Sequence, residues 1–242
     1  MGCEVVKFCT LYFNGRPQNS GAVFNEQPIA LGDTVAGKEL EWVKIGVGYV
    51  AASVICRSIS WDDLDAVNYV FGIPIKIDGR WFLCRCLHTG TRKGASNEWD
   101  AILDVTGDDD DVWHWKEASF WGQETADKSQ QKSVRGGHGA RFWMALAPNL
   151  WYSELGFRPI LEPLLPGTTD ISKLLGRRLS LIDRNGKPIT GNLESFDDYD
   201  LVLDAVFPLP DESSWATIRD GKIILSRPEV WLKEKNYKIR RM

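Results

Sequence analysis

The chain has 242 residues, enough for one large domain or two small ones, and its 43% hydrophobic and 26% charged residues exclude a disordered tail. Lys plus Arg at 29 against Asp plus Glu at 33 gives a net charge of −4, which excludes a protein that coats nucleic acid by bulk charge and leaves only a local basic patch for such a role. No apolar run approaches the roughly 20 residues of a membrane span, and Met1-Gly2-Cys3-Glu4 lacks the basic and apolar regions of a secretory signal, so neither a membrane partner nor export is expected.

Residues 4–57 alternate apolar stretches, Val5–Phe13 and Trp42–Ile55 among them, with turn signals at Asn14-Gly15, Pro28 and Gly32-Asp33. They predict a β segment over 1–57 that packs on the main domain. Ser60 precedes Trp61–Val70, with Asp63 three positions on and Leu64, Val67 and Val70 at helical spacing, which predicts a short capped helix. Ile73, Ile75 and Ile77 alternate with Pro74 and Lys76, Asp78-Gly79 supplies a tight turn, and Arg80–Leu87 returns as the second strand of a hairpin. Ser96 is the expected cap of a helix that carries Trp99, Ile102 and Leu103 and ends near Gly107. Asp108–Asp111 are consecutive and cannot all face one cation, so a solvated acidic loop is expected there.

From Gly107 to Glu162 periodicity disappears, yet Trp113, Trp115, Phe120, Trp121, Phe142, Trp143, Trp151 and Phe157 crowd the segment. A disordered loop would not carry so many rings. The prediction is a long irregular region pinned by large side chains and free to carry function. Pro163, Pro166 and Gly167 then mark a boundary. Beyond it Thr169 or Asp170 caps a short helix to Leu175, and alternating runs at Leu179–Asp183, Ile189–Phe196, Tyr199–Val206, Trp215–Arg219 and Lys222–Leu225, turned at Asn185-Gly186 and Asp220-Gly221, predict a small bent β-barrel over 168–242, with Gly191 at the bend. The cysteines Cys3, Cys9, Cys56, Cys84 and Cys86 are odd in number and form no C-x-x-C, so buried reduced thiols are expected.

Val134-Arg135-Gly136-Gly137, followed some twenty residues later by Leu155-Gly156-Phe157-Arg158-Pro159, is similar to the closing signature of the C-type-lectin-like fold. The version it resembles is shared by the formylglycine-generating-enzyme superfamily, phage and prophage modules, and variable proteins of diversity-generating retroelements. Trp61-Asp62-Asp63-Leu64, Ile77-Asp78-Gly79 and Trp113-His114-Trp115 look like the same group, so the resemblance spans about residues 60–162. It implies a β-rich α+β fold: a C-type-lectin-like domain over 58–165 with aromatic-pinned loops, then an Sm-like or SH3-like barrel. Within the bracket, the resemblance places ligand contacts on Arg141, Phe142, Trp143, Asn149, Trp151 and Tyr152, and Arg135 and His138 join them as candidate ligand-binding residues because they can offer charge-assisted contacts to an anion. The catalytic cysteines of formylglycine-generating enzymes have no counterpart, because no cysteine lies beyond Cys86. His88, His114 and His138 are scattered, and the calcium-lectin signatures are missing, so no metal or cofactor is expected. In retroelement variable proteins the bracketed segment commonly ends the chain, whereas here some eighty residues follow.

Leu175-Gly176-Arg177-Arg178-Leu179, Gly186-Lys187-Pro188-Ile189-Thr190-Gly191-Asn192-Leu193 and Phe196-Asp197-Asp198-Tyr199-Asp200-Leu201 resemble the first motif of Sm-like proteins, which often form rings and bind RNA. Asp200 stands where that motif has asparagine, and a carboxylate lacks the amide donor, so RNA is not an expected partner. No nucleophile elbow, phosphate loop or zinc spacing is present, and no catalytic residue is assigned. The expectation is a non-catalytic recognition module of phage, prophage or mobile-element type, in a bacterial cytoplasm or on a virion, binding a protein or other ligand through an aromatic and Arg surface between Arg135 and Arg158. Two alternatives accompany it: capture of a small anionic, nucleotide-like ligand or a host defence protein, using Arg135, His138 and Arg141, and a structural subunit that forms homo-oligomers through its barrel.

Overall fold

The computed structural model describes residues 3–210, 213 and 215–233; Met1, Gly2 and the end of the 168–242 segment lie outside them. Strand makes up 46% and helix 11%, spread over several sheets, so the chain is β-rich α+β. It divides into two compact units, one ending at Glu162 and one beginning at Pro163.

In the first unit the opening apolar run is two strands, not one. Val5–Phe8 pairs with Leu40–Ile45, whereas Thr10–Phe13 pairs with Ile29–Gly32. The switch occurs at Cys9, whose φ of 65° turns the backbone while its amide donates to Thr34 Oγ1 at 2.8 Å. Leu40–Ile45 folds back onto Gly48–Ala51, which pairs with Ile160 and Leu161. The hairpin Ile73–Ile77 and Arg80–Cys86 forms with Ile77 opposite Arg80, and Asp78 and Gly79 both take positive φ, as a two-residue turn between right-twisted strands requires.

Among the described residues of this unit there are three helices: α1 (Trp61–Ala66), α2 (Glu98–Thr106) and α3 (Asp110–Trp113). At α1 the Ser60 hydroxyl accepts the Asp63 amide and the Asp63 carboxylate accepts the Ser60 amide, each at 3.0 Å. This reciprocal cap satisfies two backbone donors at once. α1 stops at Ala66, short of Val70, because Asn68 is left-handed (φ 62°) and the chain leaves the helix to bury Tyr69 and Val70. Tyr69 Oη then accepts the Leu31 amide at 3.1 Å. α2 is capped by Asn97 rather than Ser96: Asn97 Oδ1 accepts the Asp100 amide at 2.8 Å, and Gly107 closes the other end. The acidic run is a helix start and not merely a solvated loop, since the Asp109 side chain accepts the Asp111 amide at the head of α3, where carboxylates also oppose the helix dipole favourably.

Residues 107–162 are more regular than their sequence implies. Ser119–Thr125, Lys132–Gly136, Trp143–Leu146 and Leu155–Phe157 join Cys56–Arg57 and Ala22–Val23 in one sheet. Ser119–Gln123 is buried at every position and Trp143–Leu146 is half-buried at every position, so neither strand alternates. The glycines of the bracketing motifs have physical causes. Gly136 and Gly137 are left-handed (φ 87° and 78°), and a Cβ on Gly156 would lie 2.0 Å from the Cys56 carbonyl oxygen.

The second unit is an antiparallel sheet in the order Val230–Lys233, Arg178–Asp183, Pro188–Phe196, Asp200–Phe207, Lys222–Ser226, Ala216–Arg219. Val230–Lys233 has no counterpart in the sequence reading. The expected helix after Asp170 is a single 3₁₀ turn, Ser172–Leu174, whose first amide donates to Asp170 Oδ1. Leu179, Leu181, Ile189, Leu193, Leu201, Leu203, Ile223 and Leu225 form its own core. Gly191 lies at a register shift, where a Cβ would meet the Asp204 carbonyl oxygen at 3.0 Å.

No disulfide forms among the described residues, and Cys9, Cys56, Cys84 and Cys86 are buried. Burial pushes the Cys9 and Cys56 thiols up to about 12, and those of Cys84 and Cys86 upward as well. Since the thiolate is the reactive form, iodoacetamide on the folded chain at pH 8 should label Cys3 alone, and all five cysteines only after denaturation. Mass spectrometry of the digest reads the pattern. Labelling of Cys84 or Cys86 in the folded chain would contradict the packing.

Candidate functional site

The bracketed segment is held by side chains that donate to backbone carbonyls. Arg135, on Lys132–Gly136, is 2% exposed. Its Nε donates to the Thr89 carbonyl at 3.1 Å, its Nη1 to the Arg141 carbonyl at 2.7 Å and its Nη2 to Asp100 Oδ2 at 2.5 Å. Arg158, fully buried, donates through Nη2 to the carbonyls of Ala52 and Trp113 and lies over the rings of Trp99 and Phe120, 5.2 and 4.8 Å from their centroids. Burial pushes its pKa down, opposed by Glu117 and Asp110. Arg85 is buried too, but there the burial cost is outweighed by Glu98 and Glu162, which hold its pKa above the ordinary value.

Tryptophan does the same work. Among the described contacts seven indole N–H groups donate to carbonyls: Trp42 to Phe8, Trp61 to Gly122, Trp99 to Ala140, Trp113 to Gly107, Trp115 to Asp108, Trp121 to Ile59 and Trp143 to Gly90. Trp151 departs from this pattern. It is 64% exposed, and its Nε1 has no acceptor among the described residues.

These contacts divide the eight expected ligand residues. Arg135 is a correction: its guanidinium is buried and each of its three nitrogens donates within the fold, so it is not presented to a ligand. Trp143 is pinned to Gly90, and its strand faces Arg135 across the sheet. Arg141 is exposed but paired with Asp104 at 2.8 Å, and its Nη1 lies 3.9 Å from Asp100 Oδ1. His138 and Phe142 are exposed and pack on each other, ring centroids 4.8 Å apart. Asn149 and Trp151 line a cavity of about 530 Å³, and Tyr152 is exposed beside them in sequence. Among the described contacts none links the His138–Phe142 pair to this cavity.

The other walls of the cavity come from residues that the sequence did not flag as binding residues: Val23 in the parallel pairing of Ala22–Val23 with Cys56–Arg57, Phe24 and Glu26 just after it, and Asp62 and Asp63 at the start of α1. Three local devices assemble them. The parallel pairing sets residues 23–26 beside 57–60, the reciprocal Ser60–Asp63 cap fixes α1, and the Asp62 amide donates to the Pro148 carbonyl at 3.1 Å, which ties residues 147–151 to the helix. The capping box was visible in sequence, but nothing in it announced the other two.

A second polar cluster lies elsewhere in the unit. Glu124 faces His88 Nδ1 at 2.8 Å and accepts the Thr89 amide at 2.8 Å. Burial raises its pKa, yet these two partners outweigh it and leave the carboxyl below its ordinary range. Thr89 and Ser133, joined by a 2.6 Å hydrogen bond, have no solvent exposure, so neither hydroxyl is open to a substrate in this arrangement. No group of three or more His, Cys, Asp or Glu among the described residues has the geometry of a metal site.

Comparison with family models, with curated proteins and with solved structures gives no match.

The two arginines of the segment should respond differently to deletion. Arg135→Ala removes one partner of a largely buried ion pair and leaves two carbonyls without a donor, so it should lower stability by about 3 kcal/mol. Arg141→Ala removes an exposed pair and should cost under about 1 kcal/mol. Denaturant unfolding of both variants checks the contrast, and equal losses would contradict the staple role of Arg135.

Proposed function

We propose that this chain is a non-catalytic recognition module, in which the first unit is C-type-lectin-like and the second an Sm-like or SH3-like barrel, of the kind carried by phages, prophages and mobile elements. The lectin-like reading is supported by the two bracketing motifs and by the physical demands on Gly136, Gly137 and Gly156. The barrel reading is supported by the second unit's strand order, in which Val230–Lys233 follows a 3₁₀ turn, Arg227–Glu229, and pairs back onto Arg178–Asp183. The recognition reading rests on one observation: Trp151 is exposed and its indole N–H has no acceptor among the described residues, while seven other indoles are spent on pinning the fold. A large ring left free beside a cavity is the residue type that dominates binding energy at interfaces, and it loses little side-chain entropy on contact.

The anionic-ligand alternative is disfavoured by charge. Arg135 and Arg141 already face Asp100 and Asp104, and three carboxylates line the cavity. A structural role through the barrel has support from Tyr199, Phe207 and Leu209, which are exposed by 76%, 75% and 64% in the second unit, more apolar surface than a lone small barrel needs.

Panning a displayed random-peptide library against the wild-type chain and against the double variant Trp151→Ala with Tyr152→Ala tests the proposal. Peptides should enrich on the wild type and be lost on the variant, whose thermal midpoint should stay within about 2 °C of the wild type because neither side chain is packed. Equal enrichment on both, or a collapse of the variant's midpoint, would count these residues as packing and sink the reading.

A further inference from the structure

We propose that the cavity beside Trp151 receives a cationic side chain, arginine or lysine, presented by a basic segment of a partner protein. This rests on the recognition reading above and adds the chemistry of what is recognised.

Among the described residues the walls of the cavity carry Glu26, Asp62 and Asp63 and no Lys, Arg or His. Asp63 is engaged in the α1 cap. Glu26 and Asp62 are exposed and have no basic partner among the described residues. Arg57 is close in the chain to one wall, but its guanidinium turns to Glu117 at 3.0 Å and lines a different cavity. The charge that the described residues set around the cavity is therefore negative. Trp151 adds an exposed ring face, and Val23, 63% exposed, adds apolar surface.

The combination selects for one chemistry. A guanidinium or ammonium gains from the ring face and from the carboxylates together, while its alkyl stem covers apolar surface. An anion would meet three carboxylates. A purely apolar side chain would draw Glu26 and Asp62 out of water with nothing to pair them. The cavity exceeds a single arginine side chain, and the next residue in the chain, Tyr152, is also exposed, which suits a side chain carried on a segment better than a free small cation.

The test follows the Trp151 indole N–H by NMR in the full ¹⁵N-labelled chain. One arm adds the blocked tripeptide Gly-Arg-Gly, a second its citrulline counterpart, which keeps the shape and loses the charge, and a third calcium chloride alone. The arginine peptide should shift the Trp151 signal saturably, and the citrulline peptide should bind about five-fold more weakly. Glu26→Gln and Asp62→Asn should each weaken the arginine response with the thermal midpoint held. An equal response to citrulline, no response to either peptide, or a response to calcium only would overturn the proposal. Library peptides that need Trp151 yet carry no excess of Arg and Lys would leave the recognition reading standing and remove the cationic one. Failure of panning and titration together would remove both.

Discussion

The structure of the first unit depends on finding donors for buried backbone carbonyls. Short strands and long connections leave many carbonyls inside the unit without a ladder partner, and each unsatisfied one costs of order 1–3 kcal/mol. Tryptophan and arginine meet this need because each brings an N–H together with a large surface that can be buried. Trp61 and Trp121 reach across about sixty residues to the carbonyls of Gly122 and Ile59, and Trp99 holds Ala140 at the head of the bracketed segment. Arg135 and Arg158 fasten Thr89, Arg141, Ala52 and Trp113 in the same way. Arg227 repeats the device in the second unit on Gly167, Thr169 and Asp197. The high tryptophan count is thereby explained as a structural requirement of the fold.

That requirement also gives the candidate site its meaning. Where rings and guanidinium groups are committed to the interior, an uncommitted one stands out chemically. Trp151 has an exposed face and an N–H without an acceptor among the described residues, and the residues around it are set by backbone contacts, the Asp62–Pro148 hydrogen bond and the α1 cap, so the ring stands against a preformed wall. Preorganisation of this kind lowers the entropy lost on binding. The electrostatics point the same way: Arg135 and Arg141 face carboxylates of α2, while Glu26 and Asp62 of the cavity have no basic partner among the described residues.

What could be read in the sequence was what is local. The α1 capping box, the Asp78-Gly79 hairpin and the Asp220-Gly221 turn are each fixed by a few adjacent residues whose φ or hydrogen-bonding capacity leaves little choice. The strands over 119–146 escaped because burial on both faces erases alternation, and the aromatic crowding that implied an irregular region belongs partly to a sheet. Ser96 and Asn97 are both competent caps, and only the geometry of α2 selects Asn97. The site was half visible. Asn149, Trp151 and Tyr152 lie in the bracket that the motifs marked, whereas Glu26 and Val23 arrive through a parallel pairing of residues more than thirty apart, which no local pattern encodes.

The claim that indole N–H groups pin the first unit is most directly measured by side-chain hydrogen exchange. In a ¹⁵N-tryptophan-labelled sample, the buried indoles of Trp42, Trp61, Trp99, Trp113 and Trp121 should exchange only through opening of the fold, while Trp151 should exchange at the rate of a solvated indole. If those five instead exchanged as fast as Trp151 under conditions where the chain is folded, the carbonyl contacts would not be holding the structure, and the distinction on which the site rests would be lost.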